Sequence, residues 1–325
     1  TLLGKILAAS GLEAIVCGNI GRPLSGLLNQ IGPKTIVVAE VSSFQLETSR
    51  SFHPEIACIL NMSRNHLDRH GSMERYHQAK ARILDYQTRD SWALLNADDP
   101  ISSQTIGQAR GKTLYFSRKR EVLGAYLKAG VLSLNLAGES EPVLESNQML
   151  LQGSHHEENA LAAVALAGLL GAGVPSAAKA LKNFSGLPHR QERIATIGGI
   201  TFINDSKSTT VVSGLRAIEA APGRVVLIAG GRDKGSDFRQ LKTQANKLKA
   251  AVLFGEDGPK IASRLNGSIL LRQARDLPEA VQMAFSLADQ GESVLLSPMC
   301  TSFDMFNSFE ERGDRFAEAV RELAL

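Results

Sequence analysis

The sequence predicts an α/β protein built as two doubly wound units, and three observations carry that expectation. Short apolar runs at residues 36–39, 56–60 and 92–95 alternate with helix-like patterns, as in a mainly parallel sheet covered by helices. The rhythm restarts in the second half with runs at 200–203, 225–229, 251–254, 269–271 and 294–296, each followed by a helical pattern. A chain of 325 residues with 43% apolar content is also long enough for two ordinary cores. We therefore expect a central domain over residues 1–186 and a Rossmann-like C-terminal domain over residues 187–325, with Gly186-Leu187-Pro188 as the hinge.

In chain order, residues 2–9 read as an amphipathic helix without signal-peptide character, and a chain opening on Thr1 reads as an excerpt of a longer protein. Between about residues 113 and 151 the pattern shortens to alternating segments, Leu114-Tyr115-Phe116, Ala125-Tyr126-Leu127 and residues 131–136, with Lys128-Ala129-Gly130 as a turn. This predicts a small antiparallel appendage. A long helix follows at about 157–170, then a shorter one near 177–182. The apolar run at 160–174 is shorter than the roughly 20 residues of a spanning helix and reads as a buried helix. Net charge is +3 with scattered basic residues, so neither nucleic acid nor an anionic membrane is the expected partner. Cys17, Cys58 and Cys300 are far apart and in no ligand spacing, which suits buried thiols in a cytoplasmic protein.

Polar groups gather where apolar runs end. Glu40, Ser42, Ser43, Gln45 and Glu47 follow the run at 36–39. In an open α/β sheet that edge forms the binding crevice, where a carboxylate such as Glu40 holds Mg²⁺ beside a nucleotide phosphate; Ser42 and Ser43 equally well cap the next helix. Gly18-Asn19-Ile20-Gly21 before Pro23 either offers backbone N–H groups to an anion or makes a plain turn, the simpler account. The segment after residue 60 carries His66, Asp68 and His70, so a second, neighbouring strand end repeats the chemistry of the first. In the second half, Arg190 and Lys207 suit neutralisation of phosphate charge, and Asp205 suits a ribose hydroxyl or the positioning of Arg190; salt bridging is the alternative for all three. Gly230-Gly231-Arg232-Asp233-Lys234-Gly235 is not a dinucleotide fingerprint, so Lys234 either anchors a carboxylate or sits in a glycine turn. Ser302, joining a strand to a helix, either holds a carboxylate or caps.

At Glu40-Val41-Ser42-Ser43-Phe44-Gln45-Leu46-Glu47, His66-Leu67-Asp68-Arg69, Gly186-Leu187-Pro188-His189-Arg190, Asn204-Asp205-Ser206-Lys207 and residues 297–309, the chain resembles the Mur ligases of peptidoglycan synthesis, in order and along essentially its whole length. The resemblance implies a central ATPase-type, ATP-binding domain and an amino-acid-binding C-terminal domain. It also implies ATP-dependent amide formation in the cytoplasm. A substrate carboxylate takes a phosphoryl group to become an acyl phosphate, which an amine then attacks. The Ser-Ser-Phe-Gln-Leu-Glu run points to D-glutamate as the amine and UDP-N-acetylmuramoyl-L-alanine as the carboxylate substrate. Carried over, Glu40 and His66 would be Mg²⁺ ligands, and Lys80, selected only by the resemblance, would support a second metal as a carbamate. Those three form the implied catalytic set. Asn19, Ser42 and Gln45 would face the UDP-sugar; Asn159, Arg190, Asp205 and Lys207 would contact ATP; Thr209, Lys234, Ser302, Phe303 and Phe309 would receive D-glutamate.

Two departures from the family pattern stand out. His156 replaces an Asn usually found beside the adenine, and no G-x-x-x-x-G-K-[ST] loop occurs in the chain. The family's phosphate loop and its N-terminal uridine-binding domain would precede Thr1, so the expectation for these residues alone is two folded domains without ligation. The alternatives are a sister ligase with another amino acid or a folate acceptor, or a catalytically silent fragment.

Overall fold

The computed structural model describes residues 1–62, 67–104, 109–233, 235–265, 267 and 269–323. The chain divides into two compact units, Thr1–Ser185 and Gly186–Leu325.

The first unit begins with α1 (Leu2–Ala9), β1 (Ala14–Gly18), β2 (Ile36–Glu40) and α2 (Ser43–Thr48). It continues with β3 (Ile56–Ile59), α3 (Leu67–His70), α4 (Met73–Ala81), β4 (Trp92–Asn96), α5 (Pro100–Gln104) and β5 (Lys112–Ser117). The strands β6 (Gly124–Lys128), β7 (Val131–Asn135) and β8 (Glu141–Glu145) precede α6 (Ser154–Leu169) and α7 (Val174–Asn183). β1 and β2 pair in parallel with Gly18 opposite Glu40, apart from a six-stranded sheet ordered β3-β4-β5-β6-β7-β8. The strand ends at Glu40 and before His66 are therefore not hydrogen-bonded neighbours, contrary to the reading of the sequence. Apolar runs mark strands but not their pairing.

The six-stranded sheet is parallel from β3 to β6 and antiparallel from β6 to β8. The antiparallel strands are thus its far half, joined through the parallel β5–β6 pair, rather than a separate layer. Ala129 and Gly130, at φ 49° and 79°, turn the chain between β6 and β7. Both faces of the sheet are covered, as side-chain alternation along β4 makes plain. Leu94 packs in one cluster with Phe116, Leu161 and Val164, while Ala93 and Leu95 join Ile59, Met62 and Leu84 on the other face. From Ala160 to Ala167 the alanine-rich α6 is buried nearly all round, between the sheet and α1 and α7.

The second unit contains β9 (Glu192–Ile197), β10 (Ile200–Asn204), α8 (Val211–Ala220), β11 (Val225–Gly230), β12 (Leu248–Phe254) and α9 (Gly258–Leu265). β13 (Leu270–Gln273), α10 (Leu277–Leu287), β14 (Ser293–Leu296) and α11 (Phe309–Glu322) complete it. Strand order is β13-β12-β11-β14-β10-β9, parallel except for the β9–β10 pair. All six residues of β11 are buried: Val225, Leu227 and Ala229 face one core, Val226 and Ile228 the other. β14 lies between β10 and β11, so the chain reverses its winding there. At such a switch point the carboxyl ends of neighbouring strands open a crevice. No helix of the described residues is long and apolar enough to cross a membrane.

Phe116 is fully buried in the first unit's main core. Phe116→Ala should cost about 3–5 kcal/mol of that unit's stability through lost transfer energy and the cavity left behind. Urea unfolding followed by far-UV circular dichroism checks this; a loss below about 1 kcal/mol would mean the core collapses around the gap.

Candidate functional site

In the first unit the polar edge is formed where β1 and β2 end. Gly18 has φ +104°, and a Cβ there would stand 2.2 Å from the Glu40 carbonyl oxygen, so only glycine allows the strands this register. The loop then folds back on itself. Asn19 N–H donates to the Glu40 carbonyl at 2.8 Å and Gly18 N–H to that of Arg22 at 3.1 Å. Gly18, Leu24, Glu40, Val41, Gln45 and Phe52 are among the residues that line a cleft of about 310 Å³ beside this loop. Ser42 and Gln45 form a capping box on α2, with Ser42 N–H donating to Gln45 Oε1 at 2.8 Å and Gln45 N–H to Ser42 Oγ at 3.3 Å. The capping role is thereby filled at the margin of the cleft, beside the exposed carboxylate of Glu40.

Lys80, late in α4, points back toward the end of β3: its ammonium donates to the Asn61 carbonyl at 3.2 Å and lies 5.2 Å from the Tyr76 ring centre. His66 lies outside the described residues. Among the described residues no three His, Cys, Asp or Glu side chains converge as metal donors. Glu40 is an oxygen donor of the kind Mg²⁺ takes, but the implied donor set is not completed within them.

His70, the second imidazole of its segment, does not face a crevice. It is buried, its Nε2 lies 3.0 Å from Ser43 Oγ, its Nδ1 lies 3.1 Å from Glu47 Oε1, and its ring stacks on Phe44 at 5.3 Å. It fastens α2 to α3. Asn159 is exposed on the second turn of α6. Near it, burial and the His155 ring, 3.9 Å away, push His156 down to about 4, so this imidazole is neutral at pH 7.

The second unit gathers its polar groups at the switch point. Asp205 is buried where β10 ends; it receives the Gln191 N–H at 3.1 Å and the Ser297 hydroxyl, from the end of β14, at 3.1 Å. Burial pushes its carboxyl up to about 6 against those hydrogen bonds and the nearby Arg190 charge. Arg190 is exposed, and the Lys207 ammonium lies 5.6 Å from the Phe309 ring centre. Lys207 N–H donates to the His189 carbonyl at 3.0 Å, so the loop carrying Arg190 and the loop carrying Asp205 and Lys207 are one assembly. His189, Gln191 and Met299 all adopt positive φ, at 61°, 47° and 58°.

Among the residues expected to receive the amino acid, Thr209 N–H donates to the Lys207 carbonyl at 3.0 Å. Ser302 is buried, its carbonyl accepting the N–H groups of Met305 and Phe306 at 3.1 and 2.8 Å. Phe303 is 66% exposed, unusual for a phenyl ring at a sheet edge, whereas Phe309 starts α11 against His189 and Lys207. Lys234 lies outside the described residues. Its neighbours explain the glycines: a Cβ on Gly230, at φ +135°, would meet the Phe254 carbonyl oxygen at 1.8 Å. Burial works against the adjacent Asp233 carboxylate, but Lys260 and the N–H groups of Ser236 and Gly235 hold it well below the usual range.

The structure thus brings Asn19, Glu40, Ser42 and Gln45 together in the first unit, and Arg190, Asp205, Lys207 and Phe309 in the second. Sequence reasoning missed Arg312, fully buried beneath the second group, and the bracing roles of His189 and Asn204. An arginine within a charged amphipathic helix carries no signal of burial.

Residues 24–167 match the Mur ligase middle domain, and residues 189–300 match the glutamate ligase domain of Mur ligases. The chain is 42% identical to the UDP-N-acetylmuramoylalanine–D-glutamate ligase of Pelotomaculum thermopropionicum over 99% of its own length and 72% of that protein. It is likewise 42% identical to the ligase of that name from Acidobacterium capsulatum, over 98% of this chain and 70% of that one. Among solved structures it is similar to a pseudomurein peptide ligase type C from Methanothermus fervidus, with TM-score 0.70 and 18% identity over 99% of this chain and 75% of that one. A MurF ligase from Thermotoga maritima in complex with ADP matches with TM-score 0.66 and 17% identity, over 99% and 78% of the two chains.

The raised Asp205 carboxyl has a measurable consequence. Its protonated form is favoured by folding, so its stabilising contribution is full below the ordinary value of 3.8 and is lost as pH rises through about 6. Asp205→Asn should remove that dependence: between about pH 4 and pH 7 the wild-type protein should lose roughly 2–3 kcal/mol relative to the variant. Urea midpoints across that range test it, and parallel profiles would contradict it.

Proposed function

This chain belongs to the Mur ligase family, and from that premise we propose that it serves a cytoplasmic, ATP-dependent ligase adding D-glutamate to UDP-N-acetylmuramoyl-L-alanine. The observation that carries the reading is agreement along nearly the whole chain with relatives named for that ligase. In the proposed reaction the substrate carboxylate attacks the γ-phosphorus of ATP, giving an acyl phosphate and ADP. The D-glutamate amine then attacks the acyl carbon and expels phosphate as the amide forms.

The residues have physical parts to play in this scheme. Residues 1–186 form the ATP-binding domain and residues 187–325 the amino-acid-binding domain. Around ATP, Arg190 and Lys207 offset phosphate charge, Asp205 accepts from a hydroxyl or orients Arg190, and Asn159 contacts the nucleotide. Ionised above about pH 6, Asp205 is an acceptor under neutral conditions. Gln45 lines the cleft assigned to the UDP-sugar, and Asn19 and Ser42 directly follow its lining residues Gly18 and Val41 in the chain. Lys234, Thr209 and Ser302 supply donors to the carboxylates of D-glutamate, and Phe303 and Phe309 shield its chain from water. Glu40, His66 and Lys80 as a carbamate are the proposed holders of Mg²⁺, which when bound would offset phosphate charge.

Two variants of the full-length protein test these assignments. Lys80→Ala should lower phosphate release by at least about 100-fold without unfolding the protein, with partial recovery in added formate. A carbamate resonance in ¹³CO₂-equilibrated wild type, absent from the variant, should accompany it, and undiminished turnover would refute the role. Lys234→Ala should raise KM for D-glutamate while leaving that for ATP nearly unchanged, because the lost cation serves one substrate. Normal saturation by D-glutamate would remove Lys234 from the pocket, and preference for another amino acid by the wild-type protein would redirect the whole reading.

A further inference from the structure

Arg312 in α11 is the largest fully buried side chain of the described residues. A guanidinium taken from water persists only if its N–H groups find acceptors. Here Nε donates to Ser206 Oγ at 3.0 Å, Nη2 to the Ser206 carbonyl at 2.8 Å and Nη1 to the Cys300 carbonyl at 3.2 Å. Burial pushes the group down to about 10, still charged at neutral pH.

The acceptors belong to two different loops. Ser206 stands between Asp205 and Lys207 after β10, and Cys300 lies two residues before Ser302 after β14. The Ser206 hydroxyl passes on to the Phe309 carbonyl at 2.8 Å, and Asn204 Nδ2 donates to the Gly313 carbonyl at 3.1 Å. The loops also meet directly, Met299 N–H donating to the Ser208 carbonyl at 2.8 Å. The first turn of α11 is thus stitched to both, and among the described residues the arginine fork is the side chain of α11 that bonds to each. Lysine could not replace it, having a single nitrogen where three directed donors are in use.

We propose that Arg312 is a positioning residue that fixes the Asp205–Lys207 loop against the Ser302 loop, so that the nucleotide and amino-acid contacts of the second unit are set as one piece. The inference rests on the functional reading above for the identity of the two ligands, and Arg312 itself touches neither.

The test uses Arg312→Lys and Ser206→Ala in the full-length protein. In Arg312→Lys, amide exchange should quicken at residues 205–208 and 300–302 together, and KM for ATP and for D-glutamate should both rise by about tenfold, kcat falling less. Ser206→Ala removes the hydroxyl's bonds to Arg312 Nε and the Phe309 carbonyl but leaves the arginine's bonds to both carbonyls, so it should move the same quantities in the same direction by less; the double variant should fall short of the sum. If Arg312→Lys does not fold, the joint shift in Ser206→Ala decides. Exchange quickened in one loop only, or a KM change confined to one substrate, overturns the proposal, as does a loss of thermal stability with both KM values unchanged. Quickened exchange in both loops of a protein that consumes no ATP with these substrates would leave the clamp standing and sink the functional reading instead.

Discussion

A strand buried on both faces can carry no polar side chain without a partner, and this constraint arranges the second unit. β11, wholly apolar and wholly buried, is possible because its backbone groups are paired with β12 and β14 and its side chains need no partner. Polar chemistry is thereby displaced to the strand ends. Asp205 follows β10, Ser297 follows β14, and Gly230 closes β11, all at one edge. Even there desolvation is felt: Asp205 keeps its place because a backbone amide and a hydroxyl offset the loss of water, and its raised carboxyl is the residue of that contest.

The same logic separates what the sequence made legible from what it did not. Strands β2 to β7 and β10 to β14 were visible because their apolar runs are short, bounded and β-branched or aromatic. β1 was missed, its Ala14–Gly18 run being short and mixed with Cys17, β8 because Glu141 and Glu145 leave only three residues between them, and β9 because it opens on Glu192 and Arg193. β9 is an edge strand with one exposed face, so it shows neither the continuous run of a central strand nor a clean alternation. Pairing was least accessible. The separate β1–β2 pair and the parallel β5–β6 junction depend on which strands meet, and that lies beyond periodicity.

For individual residues, the end of a strand was readable while the partner of a side chain was not. Ser42 and Gln45 were open to two readings, and the capping box satisfies the local one while leaving both beside the cleft. These roles are compatible, because a cap fixes where a helix begins and hence where its first residues stand. His70 looked like a second crevice imidazole, and its burial against Ser43 and Phe44 follows from α2 and α3 folding together, which no local pattern announces. Asp205 and Lys207 needed only their position after an apolar run. Arg312 needed the whole unit.

His189, Gln191 and Met299 hold left-handed backbone conformations without being glycine, at a cost on the order of 1–3 kcal/mol each. His189 and Gln191 flank Arg190, and Met299 precedes Cys300, so the distorted peptides border the residues with the most chemical promise. Glycine at these positions would relax the chain, yet His189 would lose its bond to Asn204 and Met299 its place in the core. The loops can become more comfortable only by becoming less defined, which makes them poor places to seek thermostability and good places to look for altered substrate tolerance.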